Sequence, residues 1–126
     1  MRFTGLCLYT VDVPRLVDFY SKALCMKAEG DDIHSLFEFG GTALVIYNPK
    51  GPEEKPESYP TNMRESCYSF AFNVDDVDIE YERLKKLGVD FIELPITHPW
   101  GWRSLTFRDP DGNAVIFNMR VDQLAD

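Results

Sequence analysis

Hydrophobic and polar positions alternate along the first stretch of the chain and then change period. Leu6, Leu8 and Thr10 alternate with Gly5, Cys7 and Tyr9, the period-two pattern of a strand with one covered face. Asp12 follows as a helix N-cap, with Pro14 in the first turn, where its missing N–H costs nothing. Leu16, Phe19, Tyr20, Ala23 and Leu24 then recur at helical spacing. Extended pieces are expected near Met26 to Ala28, Ser35 to Phe39 and Thr42 to Tyr47, with Gly40-Gly41 as a hairpin signal between the last two. The first half therefore reads β-α-β-β-β.

The second half reads the same way. A strand is expected from Cys67 to Val74, Asp76 is the helix cap, and Val77, Tyr81, Leu84 and Leu87 form the apolar stripe. Gly88 ends that helix in the left-handed conformation. Strands are expected near Asp90 to Glu93, Arg103 to Arg108 and Ala114 to Met119. The turn Asp109-Pro110-Asp111-Gly112 joins the last two. The two halves are offset by about 64 residues (5 to 69, 12 to 76), the mark of a duplicated unit. The expected fold is α+β: one domain over 1–126, with module one about 1–48, a polar connector about 49–66 and module two about 67–126. Helices on one side of curved sheets leave a concave cleft on the other. Alternation assigns Cys7, Tyr9, Cys67, Ser69 and Ala71 to the cleft face, and Leu8, Phe70 and Phe72 to the helix face.

Composition narrows the function. No apolar run approaches the roughly 20 residues that span a bilayer, and the N-terminus enters a strand pattern with no signal peptide in view. Three cysteines (Cys7, Cys25, Cys67) without CxxC spacing read as buried free thiols in a reducing cytoplasm. A net charge of −8 argues against nucleic acid and anionic membrane as partners. It favours a cationic ligand only if the acid is gathered near a pocket; otherwise it serves solubility.

Val13-Pro14-Arg15-Leu16-Val17-Asp18-Phe19-Tyr20 after Asp12, the strand–Asp–helix–Gly pattern through Gly88, and Arg108-Asp109-Pro110-Asp111-Gly112-Asn113 together resemble the vicinal oxygen chelate superfamily. That superfamily includes glyoxalase I, bleomycin-resistance proteins, extradiol dioxygenases and fosfomycin-resistance enzymes. The resemblance covers nearly the whole chain and implies a homodimer. In metal-dependent members it implies a divalent cation held by a histidine in each module's first strand and a glutamate in each last strand. Those slots fall on Gly5 and Ser69, on Ile116, and near Val45. None is a usable donor set, so no metal and no other cofactor is expected.

Other residues offer chemistry. His34 reads as a solvated turn histidine. His98 precedes Pro99-Trp100-Gly101-Trp102 in a loop that family members place beside the cleft, and it is a weak catalytic candidate, as is Glu38. Glu38 alternates with Phe37 and Phe39; it points into the cleft, or it is an edge-strand charge that discourages aggregation. Trp100 and Trp102 suit an aromatic wall for a planar or cationic compound. The expected ligand-binding set is Tyr9, Glu38, Ser69, Trp100, Trp102 and Arg103, with Arg103 positioning an anionic group or remaining a surface charge. The expected function is metal-independent binding or sequestration of a small organic molecule, cationic or aromatic, as in bleomycin-resistance-type members. The alternative is a glyoxalase-like lyase or dioxygenase with a relocated or absent metal. A third reading is a vestigial cleft on an interaction partner.

Overall fold

In the computed structural model, residues 1–48 and 68–121 are described; the expected connector and Cys67 lie outside the described residues. The chain forms two compact units, Met1–Asn62 and Met63–Asp126. In the first, β1 (Gly5–Tyr9) is followed by α1 (Val13–Leu24), β2 (Glu29–Gly30), β3 (His34–Glu38) and β4 (Ala43–Tyr47). In the second, β5 (Phe70–Asn73) is followed by α2 (Val77–Lys86), β6 (Asp90–Thr97), β7 (Trp102–Arg108) and β8 (Ala114–Arg120). The sheets have orders β1-β4-β3-β2 and β5-β8-β7-β6. In each, the first strand runs parallel to the last and the other pairs are antiparallel. The two units thus repeat one topology, as the doubled motif predicts.

The helices form where capping and periodicity agree. Asp12 accepts the Arg15 N–H at 3.2 Å, and Val13, Leu16, Tyr20 and Ala23 form the buried stripe of α1. That stripe packs on β3 and β4, where the Tyr20 and Phe37 rings meet edge to face at 6.4 Å. Asp76 accepts from the Asp78 and Ile79 N–H groups at 2.9 and 3.2 Å, and Gly88 takes φ 76° just beyond α2. Tyr81 of α2 meets Phe91 of β6 at 5.2 Å, again edge to face. Among the described residues no helix is long and apolar enough to cross a membrane.

Several expectations shift. The second strand is two residues at Glu29–Gly30 rather than Met26 to Ala28. His34 opens β3 instead of lying in a turn, because Asp31 accepts from the Ile33 and His34 N–H groups at 2.9 Å and completes the turn itself. β6 continues to Thr97, with register shifts on both sides of Glu93. It is an edge strand, where Pro95 need donate to no neighbour. Leu87 is the residue after α2 and is exposed, so the apolar stripe stops at Leu84. Cys7 and Cys25 are exposed free thiols, contrary to the buried reading. Cys7 lies on the uncovered face of its sheet, and Cys25 occupies the left-handed position that ends α1.

Candidate functional site

In each unit the helix covers one sheet face and leaves the other open. On the first sheet Leu8, Phe37, Leu44 and Ile46 are buried against α1. The strand registers then align the opposite side chains in rows across β1, β4 and β3. Gly5, Ala43 and Glu38 form one row; Cys7, Val45 and Leu36 form the next; Tyr9, Tyr47 and His34 form the third. The last row is aromatic throughout. Tyr47 lies 6.3 Å from Tyr9 and 5.6 Å from His34 between ring centroids, with interplanar angles of 50° and 68°. The same Asp31 turn that opens β3 brings His34 into this row, and those N–H donors, His34 first, hold the Asp31 carboxyl below the ordinary carboxylate range.

Glu38 is on the sheet face opposite α1, exposed at the end of β3, and its side chain has a local task. Its Oε1 accepts the Gly41 N–H at 2.8 Å across the β3–β4 turn. Cys7 lies two residues from each outer row, and its partial burial pushes the thiol above its ordinary value. It is therefore a protonated, weakly reactive group at neutral pH.

On the second sheet, Leu105, Phe107, Val115 and Phe117 are buried on the helix face. Ser104, Thr106, Ile116 and Asn118 alternate with them on the open face. His98 comes to this face through the β6–β7 turn. Gly101 donates to the His98 carbonyl at 3.1 Å and takes φ 89°, while His98 donates to the Trp102 carbonyl at 2.7 Å. Pro99 and Trp100 occupy the two central turn positions, so Trp100 projects outward and is 68% exposed. The His98 ring stacks on Trp100 at 4.5 Å and 10°, and its Nε2 shares a 3.0 Å hydrogen bond with the Ser104 hydroxyl. Glu93 Oε1 is 3.9 Å from the same nitrogen.

Trp100 and Trp102 do not form one wall. Trp102 lies on the sheet, with the Arg120 guanidinium 5.0 Å above its ring. Ser69 is exposed one residue before β5. Arg103 is not on the open face at all. Its guanidinium reaches Asp78 of α2 at 2.7 and 2.9 Å and the Thr97 hydroxyl at 3.0 Å. The fork expected to position an anionic ligand is thus engaged on the helix side. That bond, more than any other influence, lowers the Asp78 carboxyl and raises Arg103.

Strand register relates to one another the positions at which the superfamily resemblance implies a metal. Cys7 pairs with Val45, and Ala71, its repeat counterpart, pairs with Ile116. Val45 is therefore the counterpart of Ile116, without a residue of ambiguity. Gly5, Val45, Ser69 and Ile116 cannot supply a donor set for a divalent ion, so the residues present do not fit the family's metal. The Gly5 position is also sterically closed: a Cβ there would lie 2.5 Å from the Ala43 carbonyl oxygen. Among the described residues no group of three His, Cys, Asp or Glu side chains could hold a metal elsewhere.

Residue type and periodicity single out Tyr9, Glu38, His98 and both tryptophans. They miss the partners that make these a site: Ser104 and Glu93 beside His98, and His34 beside Tyr47. Strand periodicity places each on a face, but only pairing register shows who stands next to whom.

Comparison with known proteins agrees with this architecture. A family model described as "Glyoxalase/Bleomycin resistance protein/Dioxygenase superfamily" matches residues 2–117. The uncharacterized protein YetH of Bacillus subtilis (strain 168) is 33% identical over 72 residues, covering 54% of this chain and 59% of YetH, so the match spans about three-fifths of that relative. A solved structure from the mobile metagenome of V. Pseudocholerae is 30% identical, with TM-score 0.67, covering 94% of this chain and 93% of that one. A glyoxalase/bleomycin resistance protein/dioxygenase from Nocardioides has TM-score 0.72 at 22% identity, covering 97% and 85% of the two chains, a likeness of fold alone.

Proposed function

We propose that this chain, which belongs to the Glyoxalase/Bleomycin resistance protein/Dioxygenase superfamily, binds a small organic molecule on the open faces of its sheets without a resident divalent ion. The observation that carries this reading is the donor set. Gly5, Val45, Ser69 and Ile116 fall where the resemblance implies imidazoles and carboxylates in a metal-dependent member, and none of them carries either group. Without an ion to polarise a substrate, the lyase and dioxygenase chemistries of such members lose their activator. What remains on the open faces is suited to recognition: aromatic rings, short aliphatic side chains and a few polar groups. The resemblance supports a homodimer, and free thiols at Cys7 and Cys25 suit the reducing cytoplasm.

The test is direct. Protein purified without chelator is analysed for Ni, Zn, Fe and Mn, and its tryptophan fluorescence is titrated with aromatic and cationic compounds. Substoichiometric metal together with saturable quenching is the expected result. Stoichiometric metal, with lyase or dioxygenase turnover that follows it, would overturn the reading.

One observation favours a second reading. The Ser104 hydroxyl and the Glu93 carboxylate stand 3.0 and 3.9 Å from one imidazole nitrogen of His98, which is the kind of grouping that moves a proton. An ion-free enzyme would lose turnover in His98→Gln while retaining ligand binding; a binder shows no turnover in either protein.

A further inference from the structure

The open face of the first sheet is graded from one end to the other, and the grading specifies a ligand. We infer that this face takes an elongated organic cation, with its ammonium group at Glu38 and its aromatic end on the Tyr9–Tyr47–His34 row. The inference rests on the binding reading above and names the ligand class for that site.

Three observations carry it. First, Glu38 shares its row only with Gly5 and Ala43, which offer no side-chain donor and no bulk. A small divalent ion needs several oxygen or nitrogen ligands and finds one carboxylate here. A diffuse organic ammonium needs one counter-charge and no bulky side chain crowding it, and beside Glu38 this row carries only the Ala43 methyl and Gly5, which has no side chain. The 2.8 Å hydrogen bond from Gly41 to Oε1 holds that carboxylate in place at the strand end.

Second, Cys7, Val45 and Leu36 make the middle row apolar across β1, β4 and β3, and Glu29 of β2, paired with Leu36, borders it at the sheet edge. A methylene chain lies on those three side chains, and the Glu29 carboxylate beside it adds to the attraction for a cation and not for a neutral ligand. Third, the far row is aromatic on all three strands, with rings inclined to one another rather than coplanar. Inclined rings give an incoming aromatic group a face and two edges to meet. Glu38 and His34 are four residues apart on β3, so the charged and aromatic ends are separated by about 13 Å. A ligand that uses both must therefore be long.

Isothermal titration and amide NMR mapping of the full chain with four probes test this: choline, benzyltrimethylammonium, 6-phenylhexyltrimethylammonium and 6-phenylhexan-1-ol. The 6-phenylhexyl ammonium is expected to bind at least ~10-fold more tightly than choline or the alcohol, because only it reaches both rows. Glu38→Gln keeps an acceptor for Gly41 and so keeps the turn; it should weaken the long cation about five- to tenfold and the alcohol less than about twofold. Ala43→Lys places an ammonium beside Glu38 and should act in the same direction, so the idea stands or falls even if one variant folds poorly. Shifts should fall on residues 34–38 and 43–47.

Tight binding that ignores Glu38→Gln and Ala43→Lys would overturn the cation assignment while leaving the chain a binder. Shifts confined to the second unit would overturn the location. If no probe binds and no neutral aromatic quenches tryptophan fluorescence, the broader binding reading fails as well.

Discussion

Gly5 carries more information than an empty metal position would. A histidine absent from an open slot could be restored by a single substitution, although one imidazole by itself makes no divalent site. Here β1 and β4 approach so closely that a Cβ at position 5 would lie 2.5 Å from the Ala43 carbonyl oxygen. Gly5→Ala and Gly5→His are therefore both expected to destabilise the fold, by about 1–3 kcal/mol, and neither should gain metal. Urea unfolding with elemental analysis checks this; a Gly5→His protein as stable as the parent and loaded with nickel or zinc would refute it. Arg103 teaches the complementary lesson. Its residue type suggested an anion site, yet its guanidinium is bound on both sides of the fork by Asp78 and Thr97. A side chain's chemistry names what it can hold; its neighbours decide whether it is available.

At the scale of elements, β7 and α2 are joined by that same pair. The Asp78 carboxyl is held below its ordinary value, first by the hydrogen bond from Arg103. A depressed folded-state value means the contribution is fully present above the unfolded value of about 3.9 and is lost as pH falls through the lower folded value. The side chains are 56% and 25% exposed, so solvent screening limits the pair to about 1 kcal/mol or less. Asp78→Asn should thus lower the urea midpoint at pH 7, and the gap to the parent should close as pH falls below about 4. A gap that stays constant down to that acid end would show that the pair is not its source. The β7–β8 turn is held more firmly. Asp109 accepts from the Asp111 and Asn113 backbone N–H groups at 2.9 Å and from the Asn113 side chain at 2.6 Å. Tyr68 donates to Asn113 at 3.1 Å, its phenol raised mainly by burial and then by the Asp109 charge. The sequence Asp-Pro-Asp-Gly-Asn announces this turn because each residue type has a separate backbone task.

For the whole molecule the leading quantity is charge. Twenty-one acidic residues face thirteen basic ones, giving −8 overall. A field of that sign draws cations toward the surface and is screened over about 10 Å at 0.1 M salt. Association of 6-phenylhexyltrimethylammonium should therefore slow several-fold between about 20 and 300 mM salt, whereas 6-phenylhexan-1-ol should be indifferent. Amide NMR line shapes at residues 34–38 and 43–47 during titration measure both; equal salt response would show that charge plays no part in capture.

Much of the architecture is legible in the residues alone. The doubled strand–Asp–helix pattern, the caps at Asp12 and Asp76, the glycine after α2 and the Asp109 turn are local, and each follows from a residue type meeting a backbone need within a few positions. Residue identity also shows that Gly5 and Ile116 carry no donor atom on their side chains and Ser69 only a hydroxyl. The tertiary structure alone decided the cross-strand rows. Tyr9, Tyr47 and His34 are far apart in the chain, and period-two alternation gives each a face but no neighbour. Hydrogen-bond register between strands supplies the neighbour, and only a folded sheet has a register. That step also turned Arg103 away from the open face, placed Ser104 against His98, and closed the space beside Gly5.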